Sequence, residues 1–321
     1  MSRFQQYRSR PGSLAAKNAP TSIRRAIALQ ISLRSPLSGD GIGTRPHSGH
    51  RCVQSAFTLV ELIMVIALAG LVAVMIGVGI SRPMQGFADQ SRRAGLVDKA
   101  VQALDRMARD VRLAVPNSLR SDNGTLELLR APVGGRYRAN LVDGQYQDPP
   151  ACPAESCRIP FAGPLPLNEL SLPASLWMVI YNVGGSSAGN SVWLQQDEND
   201  TSSVITPKTT IDLNGDNLEL ALSGFRFRYA SPQHRFYLAD KVVGYRCQNG
   251  RLLRAEFDSL ELSYSYTNAA PIVDRVDCVA SSFTYDPGDN TRNGLATLRL
   301  TLSEAGETIS LLRQVHIDNA P

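Results

Sequence analysis

Glu61 is the one charged residue in an apolar stretch of 24 residues, Phe57 to Ile80. A carboxylate in bilayer hydrocarbon costs at least about 2.5 kcal/mol even on the mildest scales, so it needs a purpose and a partner. No base lies inside the stretch. The partner must then come from another chain or from a newly made amino terminus. The chemistry on offer is charge pairing rather than bond making.

Other residue patterns point less far. Gly185-Ser186-Ser187-Ala188-Gly189 fits G-x-S-x-G, but a nucleophile elbow needs a strand before it and a helix after it. Here a second strand is expected over Ser191–Gln195, so the stretch reads as a hairpin loop. His234 and His316 belong to no H-E-x-x-H motif. Asp212-Leu213-Asn214-Gly215-Asp216-Asn217 begins like a calcium loop, yet Asn217 and Ser223 stand where an EF-hand needs Gly and Glu. Asp286, Asp289 and Asn290 are weaker candidates for a cation, with polar turn residues as the simpler reading. The sequence calls for no enzyme activity, no cofactor and no resident metal.

The elements that would position Glu61 are plain. As a helix, Phe57 to Ile80 spans about 36 Å, enough for a hydrocarbon core of about 30 Å. The 56 residues before it hold nine Arg or Lys and one acid, Asp40. That bias predicts a cytoplasmic arm and an exported remainder. The apolar run is too long for a signal-peptide h-region, and no A-x-A-like site follows it closely.

Beyond the run the helix should continue, kinked at Pro83. Leu96, Ala100, Leu104, Met107, Val111 and Val115 recur at three- and four-residue steps as one apolar stripe. Arg92, Arg93, Asp98, Lys99, Arg106, Arg109, Asp110 and Arg112 are assigned to the other faces. Pro116-Asn117-Ser118 should stop it. Alternation and turn signals such as Asn249-Gly250 and Ala305-Gly306 then predict a meandering antiparallel sheet. Residues 131–173, with eight Pro, read as one long loop. The expected fold class is α+β: a long membrane-spanning helix packed on an antiparallel β-sheet domain.

Ala56-Phe57-Thr58-Leu59-Val60-Glu61 resembles the processing site of type IV prepilins and type II secretion pseudopilins. Ala56 stands where that family usually has Gly. Softer matches are similar to the MshO family of minor pilins from mannose-sensitive haemagglutinin (MSHA) pilus systems. They are Ser81-Arg82-Pro83, Asp89-Gln90-Ser91-Arg92-Arg93-Ala94, Arg106 to Arg112, Val115 to Arg120, Val243-Gly244-Tyr245-Arg246-Cys247 and the tail Gln314 to Pro321. The resemblance implies cleavage between Ala56 and Phe57 and methylation of Phe57 by a prepilin peptidase/N-methyltransferase. It implies that Glu61 meets the Phe57 ammonium of a neighbouring subunit during assembly. The implied partners are other major and minor pilins, an inner-membrane assembly platform and membrane lipid, with no nucleic acid. The implied place is the inner membrane, as a single pass with its C-terminal domain in the periplasm, and then the pilus.

On that reading 1–56 is a removed basic leader, 57–80 crosses the membrane, 81–115 is the amphipathic continuation and 116–321 is a β-rich head. The full chain has 33 basic and 29 acidic residues. Without the leader, 24 face 28, and the basic balance disappears. Cys52 leaves with the leader. Cys152, Cys157, Cys247 and Cys278 remain, in an oxidising compartment that favours disulfides. Three pairings are possible, and the nearest-neighbour scheme is expected, Cys152 with Cys157 and Cys247 with Cys278. The implied function is a minor pilin that primes or caps fibre assembly. The alternatives are a minor pseudopilin of a type II secretion system and a pilus-tip adhesin.

Overall fold

The computed structural model describes residues 57–122, 124–153, 157–185, 189–194, 202–288 and 292–317, and only the backbone of 78–85. The chain divides into two units, Met1–Ile63 and Met64–Pro321, with the boundary inside the helix α1, Leu59–Arg112. In the first unit the described residues begin with Phe57. Thr58 caps α1: its Oγ1 accepts the backbone N–H of Glu61 at 3.3 Å, and its carbonyl accepts that of Leu62 at 3.2 Å.

In the second unit α1 runs through Pro83 with no break in the helix and stops at Arg112, before Pro116. Its buried stripe is Leu96, Ala100, Ala103, Leu104, Met107, Ala108 and Val111. These residues meet two sheets. One has five antiparallel strands in the order Arg120–Asp122, Thr125–Arg130, Lys241–Gln248, Arg251–Phe257 and Ala270–Asp274. The other is Ser282–Asp286, Gly294–Glu304 and Glu307–Ile317. Leu126, Leu128, Val243, Tyr245 and Leu252 come from the first sheet, and Leu298, Leu300, Leu302 and Val315 from the second. Each large side chain so buried contributes about 1.5–3 kcal/mol.

Residues 131–240 are an insertion between two paired neighbours. Arg130 ends one strand, Lys241 begins the next, and the two are directly opposite each other. Between them lies a closed six-stranded barrel in the order Thr209–Asn214, Asn217–Leu220, Cys157–Ala162, Val133–Tyr137, Arg235–Ala239 and Ala174–Val179. Pairing of Thr209 with Leu176 closes it. Closure satisfies both edges of every strand. Ile159, Leu176, Met178, Ile211, Leu218, Phe236 and Leu238 fill the interior. Two smaller sheets flank the barrel: Ala151–Cys152, Phe225–Phe227 and Ser202–Ser203, and the pair Asn140–Val142 and Gln145–Gln147. At the neck, Arg130 Nε and Nη2 donate to the Asp240 carboxylate at 3.1 and 2.5 Å.

This architecture corrects the expected fold class. The described chain is predominantly β, divided among five sheets of which one is a closed barrel, rather than one helix on one meandering sheet. The supposed loop over 131–173 supplies two barrel strands, Val133–Tyr137 and Cys157–Ala162, and three satellite strands. Its prolines are compatible with strands because the paired segments are short, and Pro160 sits within one of them opposite Asn217. Ser191–Gln195 is not a strand in its described part, 191–194. That segment turns and presents Trp193, whose Nε1 donates to the Ser118 carbonyl at 2.8 Å.

The chain carries two disulfides, Cys152–Cys157 and Cys247–Cys278, the nearest-neighbour scheme. The turns at Asn249-Gly250 and Ala305-Gly306 have positive φ at both positions, the type I′ geometry that matches hairpin twist.

Candidate functional site

Glu61 lies at the third helical position after the Thr58 cap, where Thr-x-x-Glu spacing makes a capping box. A carboxylate there faces the positive end of the helix dipole, worth about 0.3–1 kcal/mol at an exposed site. Thr58-Leu59-Val60-Glu61 therefore has a local role in starting α1. The four-residue spacing carried that signal, and the sequence reading passed over it. Leu59–Gly77 is long and apolar enough to cross a membrane, and none of it is buried by the chain itself. Phe57 is exposed. Ala56, the other half of the expected cleavage junction, lies outside the described residues, as do Asp289, Asn290, Ser186 to Ala188 and the last four residues.

The remaining expected site residues fall apart in space or into structural roles. The Asp286 carboxylate accepts the Gly288 N–H at 3.0 Å and lies 3.8 Å from Arg292. Asp212 and Asn214 form the end of a hairpin strand. Asn214 Nδ2 donates to Glu219 at 2.9 Å, and Gly215 turns the chain at φ 58°. Among the described residues no three His, Cys, Asp or Glu side chains gather as a metal site would require. His234 Nε2 lies 3.0 Å from Asp148, whose other oxygen accepts the Tyr137 hydroxyl at 3.1 Å.

The strongest polar cluster joins α1 to the five-stranded sheet. Asp110, expected on the polar face of α1, is buried. Its Oδ2 accepts the Tyr245 hydroxyl at 2.5 Å and Arg254 Nε at 2.8 Å. Arg254 Nη1 reaches Glu256 at 2.6 Å, and Lys241 closes on the same carboxylate at 3.0 Å. Burial, reinforced by the Asp110 carboxylate, pushes the Tyr245 phenol well above its usual range. Burial opposes the Arg254 charge, but hydrogen bonds to Asp110 and Glu256 outweigh it and raise the guanidinium's pKa. Burial would likewise raise the Glu256 carboxyl, but hydrogen bonds from Arg254 and Lys241 hold it at about 2. Two strands, Lys241–Gln248 and Arg251–Phe257, are thus tied to one helix position.

A second cluster sits by the helix stop. Arg120 pairs with Glu127 at 2.6 Å and lies 3.9 Å above the Trp193 ring. Asn182 bonds the Pro116 carbonyl, and Asn117 bonds the Asn182 carbonyl. These contacts lock the insertion to the end of α1.

No family model matches the chain, and neither do any curated protein or any solved structure.

Proposed function

We propose that the chain is a minor subunit of a type IV pilus-like fibre, inserted in the inner membrane and extracted into the growing assembly. The observation that carries the reading is the isolated Glu61 in the first turn of a bilayer-length apolar helix, five residues into Phe57-Thr58-Leu59-Val60-Glu61. A membrane helix that served only as an anchor would be more stable without that charge. A neighbouring Phe57 ammonium, newly exposed by cleavage after Ala56, supplies the counter-charge and offsets both desolvation costs.

The two disulfides fit an exported head, since such bonds persist in oxidising compartments. The large inserted barrel suits a low-copy position at a fibre end better than a repeating lattice position, where 110 extra residues per subunit would have to be accommodated. The test is replacement of Glu61 by Ala. Cleavage should proceed while co-purification with other fibre subunits falls. Undiminished co-purification would leave only the capping role for Glu61.

A further inference from the structure

Arg246 and Arg251 lie on adjacent strands of the five-stranded sheet. The register pairs Arg246 with Leu253 and Gln248 with Arg251, so the two arginines are diagonal neighbours on one face. That face is turned away from the core that holds Tyr245 and Leu252. Both arginines are exposed, and among the described residues neither forms an ion pair. Asp274 stands opposite Arg251, but its carboxylate binds Lys99 at 3.0 Å. Two like charges so placed repel, and an anion between them would offset the cost.

The surroundings form a groove. A cavity of about 480 Å³ is lined by Arg246, Gln248, Asn249, Arg251 and Thr267. A second, of about 350 Å³, shares Arg246 and Tyr266 with it and runs on toward Thr125. Its wall is rigid. The Tyr266 hydroxyl donates to Glu127 at 3.0 Å, and the ring lies so close to the strand that a Cβ on Gly244 would clash with its oxygen. The Arg246 guanidinium sits 5.7 Å from that ring, a cation–π contact that steadies it without neutralising it.

The composition narrows the occupant. The groove sets amides, hydroxyls and a small apolar floor of Leu253, Ala269 and Pro271 around two guanidinium groups, a mix that suits the hydroxyls and C–H faces of a sugar. Single-stranded nucleic acid is held on exposed aromatic platforms, whereas Tyr264 and Tyr266 are buried; Asp122 and Glu127 at the far end confine an anion to the half between Arg246 and Arg251. We propose that the groove binds an acidic polysaccharide, with Arg246 and Arg251 taking sugar carboxylates and Gln248, Asn249 and Thr267 its hydroxyls. This does not depend on the assembly reading.

The test is calorimetric titration of the full chain in detergent with oligogalacturonate and with oligomannuronate. The same galacturonate in methyl-ester form and inorganic phosphate are the comparison ligands. At least one acidic oligomer should bind, the ester at least tenfold more weakly. Arg246→Gln and Arg251→Gln should each weaken binding at least tenfold with unchanged melting temperature. The proposal is overturned if neither acidic oligomer binds, if ester or phosphate binds as well, or if both variants bind normally.

Discussion

Replacing Asp110 with Ala tests how α1 is held to the sheet. The substitution deletes the acceptor of two hydrogen bonds, from Tyr245 at 2.5 Å and Arg254 at 2.8 Å. Hydrogen bonds involving a charged group are worth about 1.5–3 kcal/mol each, and breaking a buried ion pair costs about 3–5 kcal/mol. Arg254 keeps Glu256 at 2.6 Å on its outer side, which places the loss at the low end, about 3 kcal/mol. In a body of this size that lowers the melting temperature by roughly 6–12 °C. Tyr245→Phe removes one donor and leaves the carboxylate still paired, so it should cost only about 1.5 kcal/mol. The assay is thermal unfolding of the detergent-solubilised chain, followed by fluorescence of Trp177 and Trp193. A loss below 1 kcal/mol for Asp110→Ala, or equal losses for the two variants, would refute the clamp.

Acid should weaken the same cluster in a defined window. Because the folded Glu256 carboxyl is held at about 2, below its ordinary value of 4.5, its contribution is complete above pH 4.5 and fades as pH falls toward 2. Melting temperature against pH should drop there, and Glu256→Gln should flatten that part of the curve. At the neck of the insertion, Arg130→Ala and Asp240→Ala should each cost about 1.5–3 kcal/mol, and the double variant no more than the worse single one. Additive losses in denaturant titrations would show that the pair is not coupled. A bulky residue in place of Ala56 should leave an uncut precursor on an immunoblot, and a mature-sized band would place the cleavage elsewhere.

How legible each part was follows from the range of the forces that make it. α1 could be read because its signals are local and long: an unbroken apolar run, then Leu96, Ala100, Leu104, Met107 and Val111 at helical spacing, then Pro116. The Gly294–Glu304 and Glu307–Ile317 hairpin could be read because strict alternation meets a two-residue Ala305-Gly306 turn. Asp110 misled because a charge on a helix normally faces water, and its partners Tyr245 and Arg254 are over 130 residues away.

The barrel was hidden for a related reason. Its strands are four to six residues long, too short for their alternation to stand out, and Val133-Gly134-Gly135-Arg136-Tyr137 looks like a turn. Gly135 is required there because the Phe236 ring lies within 2.7 Å of where a Cβ would stand, a contact between residues about a hundred apart. The anion groove was invisible in the same way. Arg246, Arg251 and Tyr266 become one surface only when register and loop bring them together.

The central claim is that Glu61 serves assembly through a processed amino terminus. N-terminal mass spectrometry of the native protein tests it most directly. The account predicts a mature chain that begins at Phe57 with a methylated amino group. A native chain that still carries Ala56 and the residues before it, or an unmethylated start elsewhere, would contradict it.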